Sequence, residues 1–237
     1  MIAIIFDVDD TLYDQIVPFQ NACRKILGRD LENAEEMYRA FSYWGNFYYP
    51  DYQTGKLPLD EYRIIRFSKA MEVCGVSVTR QEAIDFQKQY LENQSRLCLS
   101  QRMQEILDLC KASGVWLGLM TNGPTHHQSA KIDALGLQRW SPSEHIFISE
   151  AVGCTKPDRE IFAAAEKGMA QPVQEIYMVG DSYDKDMLGA INAGWRTVWM
   201  NHRRHPLPEG AKEPDYTAYS ELELQKIFEE KFCINNG

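Results

Sequence analysis

Five apolar residues, Ile2-Ala3-Ile4-Ile5-Phe6, run straight into Asp7-Val8-Asp9-Asp10-Thr11-Leu12. A short, unbroken apolar run reads as a strand buried on both faces. Carboxylates cannot follow such a strand cheaply unless the strand ends there and a cation meets them. In open α/β sheets, ligands sit in the crevice beyond the carboxyl ends of the strands. The opening stretch therefore points to a metal or phosphate site at a strand terminus. The competing reading is a solvated turn in which Asp-Asp-Thr caps a helix, and the rest of the chain decides between the two.

From Ile16 to Leu97 no strand-type alternation follows. Apolar residues recur at helical spacing: Ile26, Leu27, Leu31; Met37, Phe41, Trp44; Ile64, Ile65, Phe67, Met71; Ile84, Phe86, Tyr90, Leu91. Gly55, Pro58 and Gly75 break the pattern, and Thr79 can cap. This predicts about four helices over residues 15–97, with most of the aromatics in their core. Strands then return. Val115–Met120, His145–Ile148, Ile176–Val179 and Thr197–Met200 read as short strands, and Tyr216–Tyr219 reads as an edge strand. Helices are expected between them over Met103–Lys111, Gln128–Leu135, from Pro157, over Met187–Ala193 and over Leu222–Phe232. Strict alternation of strand and helix predicts a Rossmann-like, three-layer α/β core with a parallel sheet covered on both faces. Residues 1–14 and 98–237 form that core domain, and residues 15–97 form a helical, four-helix-bundle-like insertion. Inserted directly after the first strand, it is placed to act as a lid over the acids, hinged near Gln15–Pro18 and Arg96–Ser100.

If the strands are parallel, four polar sets meet on one edge: Asp7, Asp9 and Thr11; Thr121 and Asn122; Lys156; and Asp181 with Asp184 and Asp186. Carboxylates from two strands can share a hard cation such as Mg²⁺. A lysine and a hydroxyl beside them suit phosphoryl transfer, which needs positioning and charge neutralisation. Asp7-Val8-Asp9-Asp10-Thr11-Leu12, Thr121-Asn122-Gly123, Lys156-Pro157-Asp158 and Gly180-Asp181-Ser182…Asp186 resemble the four ordered motifs of the haloacid dehalogenase superfamily. The resemblance covers the whole chain, including a helical cap between the first and second motifs.

That resemblance implies a mechanism. Asp7 would be the nucleophile that forms an aspartyl-phosphate. Asp9 would protonate the leaving oxygen and later activate water. Mg²⁺ would be held by Asp7, the backbone carbonyl of Asp9, Asp181 and Asp186. Thr121 would hydrogen-bond a phosphoryl oxygen, helped by backbone N–H groups near Asn122, and Lys156 would pair with Asp7 and that group. Asp10 reads as a turn residue, Thr11 as a loop tie, and Asp184 as a solvated acid at a helix start. His126 and His127 read as surface or cap residues. The basic run His202-Arg203-Arg204-His205 reads as a solvated loop. An Asp at position 9 argues against carbon–halogen cleavage, since dehalogenases of this superfamily do not keep it. A phosphatase acting on a small phosphorylated molecule is the expected activity. A phosphomutase of the β-phosphoglucomutase type and a non-hydrolytic phosphate-binding relative are the alternatives. The cap segment Trp44…Phe67 resembles that of pyrimidine 5′-nucleotidases of this superfamily. There Trp44 or Tyr48 could stack on a base and Arg63 or Arg66 could meet an anion.

Net charge is 25 − 34 = −9, which disfavours binding to a nucleic-acid backbone. Six cysteines show no Cys-x-x-Cys pair and suggest reduced thiols. The apolar opening is too short for a signal peptide or a membrane span. A soluble, cytoplasmic monomer or homodimer without a membrane or nucleic-acid partner is the expectation.

Overall fold

The computed structural model describes residues 1–28, 32–169 and 172–232. Leu31 and Cys233 lie outside the described residues. The chain divides into two compact units, Met1–Asp14 with Cys98–Gly237, and Gln15–Leu97.

The first unit is built on a six-stranded sheet with every neighbouring pair parallel. Its strands are β1 (Ile2–Phe6), β2 (Trp116–Thr121), β3 (Ile146–Ile148), β4 (Glu175–Gly180), β5 (Arg196–Met200) and β6 (Tyr216–Ala218), in the order β3-β2-β1-β4-β5-β6. The expected parallel α/β core is thus the observed one. β1 lies between β2 and β4, and Ala3, Ile4, Ile5 and Phe6 are fully buried. Burial on both faces explains why this strand reads as a continuous apolar run rather than an alternating one.

Side chains i and i+2 share a face. Ala3 and Ile5 join Met120, Phe147, Met178 and Trp195 in one core cluster. Ile161, Phe162 and Ala165 of α8 (Arg159–Gly168) and Ala190 of α9 (Leu188–Ala193) complete that cluster. On the other face, Phe6 meets Phe228 of α10 (Glu221–Phe232), ring centroids 5.8 Å apart. α10 packs against α5 (Gln101–Ala112). Burying several such side chains at about 25 cal/mol per Å² is what holds the layers together. α6 (Thr125–Ala134) follows β2, and the short α7 (Ser149–Val152) follows β3.

The second unit consists of α1 (Ile16–Leu27), α2 (Ala34–Gln53), α3 (Leu59–Val73) and α4 (Arg80–Gln94). Phe19, Phe41, Phe67, Phe86 and Tyr90 form its centre. The Phe67 and Phe86 rings stack face to face, 3.7 Å apart. α4 starts with a reciprocal cap: Thr79 Oγ1 accepts from the Glu82 N–H while Glu82 accepts from the Thr79 N–H.

Three local expectations change. The helix expected to begin at Pro157 begins at Arg159. Residues 156–158 form a turn instead, with the Asp158 N–H donating to the Thr155 carbonyl at 2.8 Å. A π-helical turn, Tyr183–Met187, precedes α9. The basic run is not simply solvated. The Arg203 side chain is 7% exposed and donates to Asp10 at 2.8 Å and also to Asp14. His202 Nε2 lies 3.0 Å from the Asp10 carbonyl. Asp10 has φ 57°, a left-handed turn that Asp tolerates better than most residues. Two carboxylates thus recruit the arginine from a loop remote in sequence.

Candidate active site

Asp7 ends β1, and its N–H donates to the Val179 carbonyl at 2.8 Å, so the parallel ladder carries its backbone one residue past the strand. Lys156 arrives from the turn after α7 and is buried. Its Nζ sits 2.6 Å from Asp7 Oδ1, 2.6 Å from Asp186 Oδ1 and 2.9 Å from the Met120 carbonyl. Those three acceptors match the three donors of an ammonium. Asn122 grips the backbone of this lysine at two points. Its Oδ1 accepts the Lys156 N–H at 2.9 Å and its Nδ2 donates to the Lys156 carbonyl at 3.0 Å. The Asn122 side chain thus holds Lys156, a task separate from the phosphoryl contact expected of the backbone N–H groups near it.

Asp181 follows β4, and Asp186 lies in the π-helical turn. Oxygens of Asp7, Asp181 and Asp186 lie within 4.8 Å of one another. Asp186 Oδ2 accepts the Ser182 N–H at 3.0 Å, and Trp199 Nε1 donates to the Asp181 carbonyl at 2.7 Å. Gly180 has no room for a side chain: a Cβ there would lie 2.4 Å from the Asp186 carboxyl.

The electrostatics follow from crowding. Burial pushes Asp7 up to about 7 against the pull of Lys156, with Asp186 and Asp9 adding to the rise. Asp181 is raised well above the usual carboxylate range by burial, then by Asp10, Asp186 and Asp7. Burial opposes the charge on Lys156, but Asp186 and Asp7 hold its pKa above that of a free lysine. Three carboxylates and one ammonium sum to two negative charges. A clustered oxygen set with that deficit fits a hard divalent cation.

Asp9 points elsewhere. Its two oxygens take Lys131 Nζ at 2.7 and 2.6 Å, Tyr13 Oη at 2.5 Å and Gln128 Nε2 at 3.0 Å. Burial opposes ionisation, yet Lys131, Tyr13 and Gln128 together bring Asp9 down to about 2. The acid trio does not include its side chain. Sequence reasoning missed Lys131 and Gln128. The available signal was their i, i+3 spacing on the helix that opens just after Thr121-Asn122-Gly123.

Thr121 is buried, and its Oγ1 has no hydrogen-bond partner among the described residues. An orphaned hydroxyl costs about 1–3 kcal/mol and is available to a ligand oxygen. Thr11, expected only to tie the loop, donates to Asp7 Oδ2 at 3.2 Å. Asp184 is exposed, and His126 is exposed on the first turn of α6. In the helical unit, Trp44 stacks on Tyr48 with centroids 5.8 Å apart. The Arg66 guanidinium lies 4.2 Å from the Phe41 ring centre, and Arg63 lies 3.7 Å from Asp60.

Comparison with known proteins points to a hydrolase family. Residues 1–194 match the model of the haloacid dehalogenase-like hydrolases. Pyrimidine 5′-nucleotidase YjjG of Escherichia coli (strain K12) is 27% identical, over 94% of this chain and 96% of that protein. A phosphoserine phosphatase of Thermus thermophilus is 26% identical, over 86% of this chain and 90% of that one. Among solved structures, the putative HAD-hydrolase YfnB from Bacillus subtilis bound to magnesium is 26% identical with a TM-score of 0.69. That match covers 95% of this chain and 97% of the other.

Proposed function

Because the chain belongs to the haloacid dehalogenase-like hydrolase family, we propose that it is a Mg²⁺-dependent phosphatase acting on a small phosphate monoester through an aspartyl-phosphate at Asp7. The observation that carries the reading is Lys156, buried between Asp7 and Asp186 at 2.6 Å from each, with Asp181 completing the acid trio.

Asp7, Asp181 and Asp186 would hold the metal, with the Asp9 carbonyl as a fourth oxygen. Bound there, Mg²⁺ supplies Lewis-acid charge that offsets the repulsion between Asp7 and an incoming phosphate. A carboxylate oxygen of Asp7 attacks phosphorus as the bond to the leaving oxygen breaks. Lys156 neutralises charge on Asp7 and on the transferring group, and Thr121 Oγ1 donates to a phosphoryl oxygen. A proton reaches the leaving oxygen through Asp9. Water then attacks phosphorus, the bond to Asp7 breaks, and Asp9 takes the water proton. Asn122 acts by fixing Lys156.

Nucleoside 5′-monophosphates are the proposed substrate class. The support is similarity to a pyrimidine 5′-nucleotidase over nearly the whole chain. Selection of the leaving group by the helical unit belongs to the same proposal. So does a reducing, cytoplasmic setting, supported by the free thiols of Cys23, Cys74, Cys98 and Cys154. Among the described residues, no helix is long and apolar enough to cross a membrane. Phosphate release from a panel of phosphorylated metabolites with Mg²⁺ tests the reading. UMP and dUMP are expected to give the highest kcat/KM, and Asp7→Asn is expected to abolish turnover. Sugar phosphates ranking equal to UMP would remove the nucleotide assignment. No turnover across the panel would remove the phosphatase.

A further inference from the structure

α3 carries the run Asp60-Glu61-Tyr62-Arg63-Ile64-Ile65-Arg66-Phe67. Ile64 and Phe67 enter the core of the helical unit. Residues three apart on a helix lie side by side, so Arg63 and Arg66 share a face, and like charges so placed repel unless carboxylates stand between them. Here the carboxylates are engaged elsewhere or stand off. Glu61 pairs with Arg80 of α4 at 3.0 Å. Asp60 comes no nearer to Arg63 than 3.7 Å, from a side chain that is 89% exposed, and a surface pair of that kind contributes little. Among the described residues no carboxylate pairs with Arg66; its hydrogen bond goes to the neutral Gln87, Nη2 donating to Oε1 at 3.4 Å.

Both cations are also partly withdrawn from water. The Arg63 side chain is 15% exposed. Burial pushes its pKa below the usual guanidinium range, and the charge on Arg66 pushes it further. The Arg66 guanidinium lies 4.2 Å from the Phe41 ring centre and 5.3 Å from that of Tyr62. Its Nε is buried without a hydrogen-bond partner. Across from it on α2 is Gly45; a Cβ there would lie 3.8 Å from Arg66 Nη1, at ordinary contact distance, so the space beside that nitrogen is unfilled. Ring faces steady a guanidinium but give its donors no oxygen, and a buried donor left without one is costly. Two neighbouring cations thus lack the charge of one dianion. The donor forks of arginine match the oxygens of a phosphate two at a time. A phosphate group carries close to two negative charges at neutral pH, whereas a carboxylate would leave one guanidinium unbalanced.

We propose that Arg63 and Arg66 form a binding site within the helical unit for a phosphate group, either free or carried by a small organic molecule. The site draws on no residue of the acid trio. Binding is reversible, and no bond is made or broken.

Nitrogen-15 labelling of arginine in the full chain gives an Nε–H signal for each arginine, and Arg63→Gln and Arg66→Gln assign the two concerned. With chelator present and ionic strength held constant, inorganic phosphate is expected to move both signals saturably, with a single Kd of about 1 mM or tighter. Each variant should weaken the binding read at the remaining arginine at least about tenfold, since charge-assisted hydrogen bonds are lost. Phenylphosphonate, whose C–P bond is not hydrolysed, is titrated in parallel. Tighter binding than inorganic phosphate marks an organic phosphate as the ligand, and weaker binding marks free phosphate. Chloride moving the two signals as far as phosphate does, either signal staying still, or Arg63→Gln leaving the Kd read at Arg66 unchanged would overturn the site. Arg66 packs on Phe41, so if Arg66→Gln fails to fold, Arg66→Lys supplies the assignment and Arg63→Gln alone carries the test. No turnover is measured: failure here leaves the phosphatase reading standing, and an inactive protein leaves this site standing.

Discussion

Mg²⁺ should stabilise the protein strongly at pH 8 and hardly at all at pH 5. The reason lies in the acid trio. Burial raises Asp7 from 3.8 to about 7 despite Lys156, and Asp181 is raised as well. Between about pH 4 and pH 7, folded Asp7 keeps a proton that the unfolded chain has lost. Its contribution to stability is full below pH 4 and disappears as pH rises through 7. Each pH unit between those two values weakens the folded state. Asp9 runs the other way. Lowered to about 2, it stabilises above pH 4 and loses that effect only as pH falls toward 2. Between pH 5 and 8 the metal-free protein should therefore weaken as the trio ionises. A divalent cation binds the ionised trio and reverses the loss. At a hundredfold excess over its Kd it adds about 2.7 kcal/mol. For a chain of this size that raises Tm by roughly 5–10 °C. Thermal unfolding at pH 5 and pH 8, with excess Mg²⁺ or with chelator, reads the effect, and Asp181→Asn should erase it. An equal Mg²⁺ shift at both pH values, or none at pH 8, would refute the reasoning.

Three further outcomes are expected. Gly180→Ala should lose the Mg²⁺ stabilisation and at least about a hundredfold in kcat, because the new Cβ meets an Asp186 carboxyl pinned by Lys156 and the Ser182 N–H; wild-type metal response in this variant would contradict it. Phe67→Ala should destabilise the helical unit by about 3–5 kcal/mol in urea unfolding, since it removes the ring stacked at 3.7 Å on Phe86. Under native conditions a thiol reagent should modify exposed Cys98 quickly and buried Cys23 slowly, since burial pushes the Cys23 thiol up to about 12; mass spectrometry of the labelled peptides gives the order.

The sheet was legible because β1, β2, β4 and β5 are apolar runs bounded by turn residues, and that signal is local. The grouping of Asp7, Lys156, Asp181 and Asp186 was legible because parallel strands bring their carboxyl ends to one edge. Partners far apart in sequence were not. Arg203 reads as solvated by its neighbours, and only the fold brings it to Asp10 and Asp14. Lys131 sits in a helix with weak amphipathic patterning, where a lysine is exposed by default. The turn at Pro157 was missed for a related reason: proline favours the first turn of a helix, while Asn122 holds the backbone of Lys156 from another strand end.

Trapping the covalent intermediate tests the central claim most directly. Rapid acid quench during turnover of a phosphate ester, followed by borohydride reduction and peptide mass spectrometry, converts a phosphorylated aspartate to homoserine. Homoserine is expected at position 7 alone, absent in Asp7→Asn. Turnover with no modified residue, or with the modification at Asp9, Asp181 or Asp186, would contradict that claim.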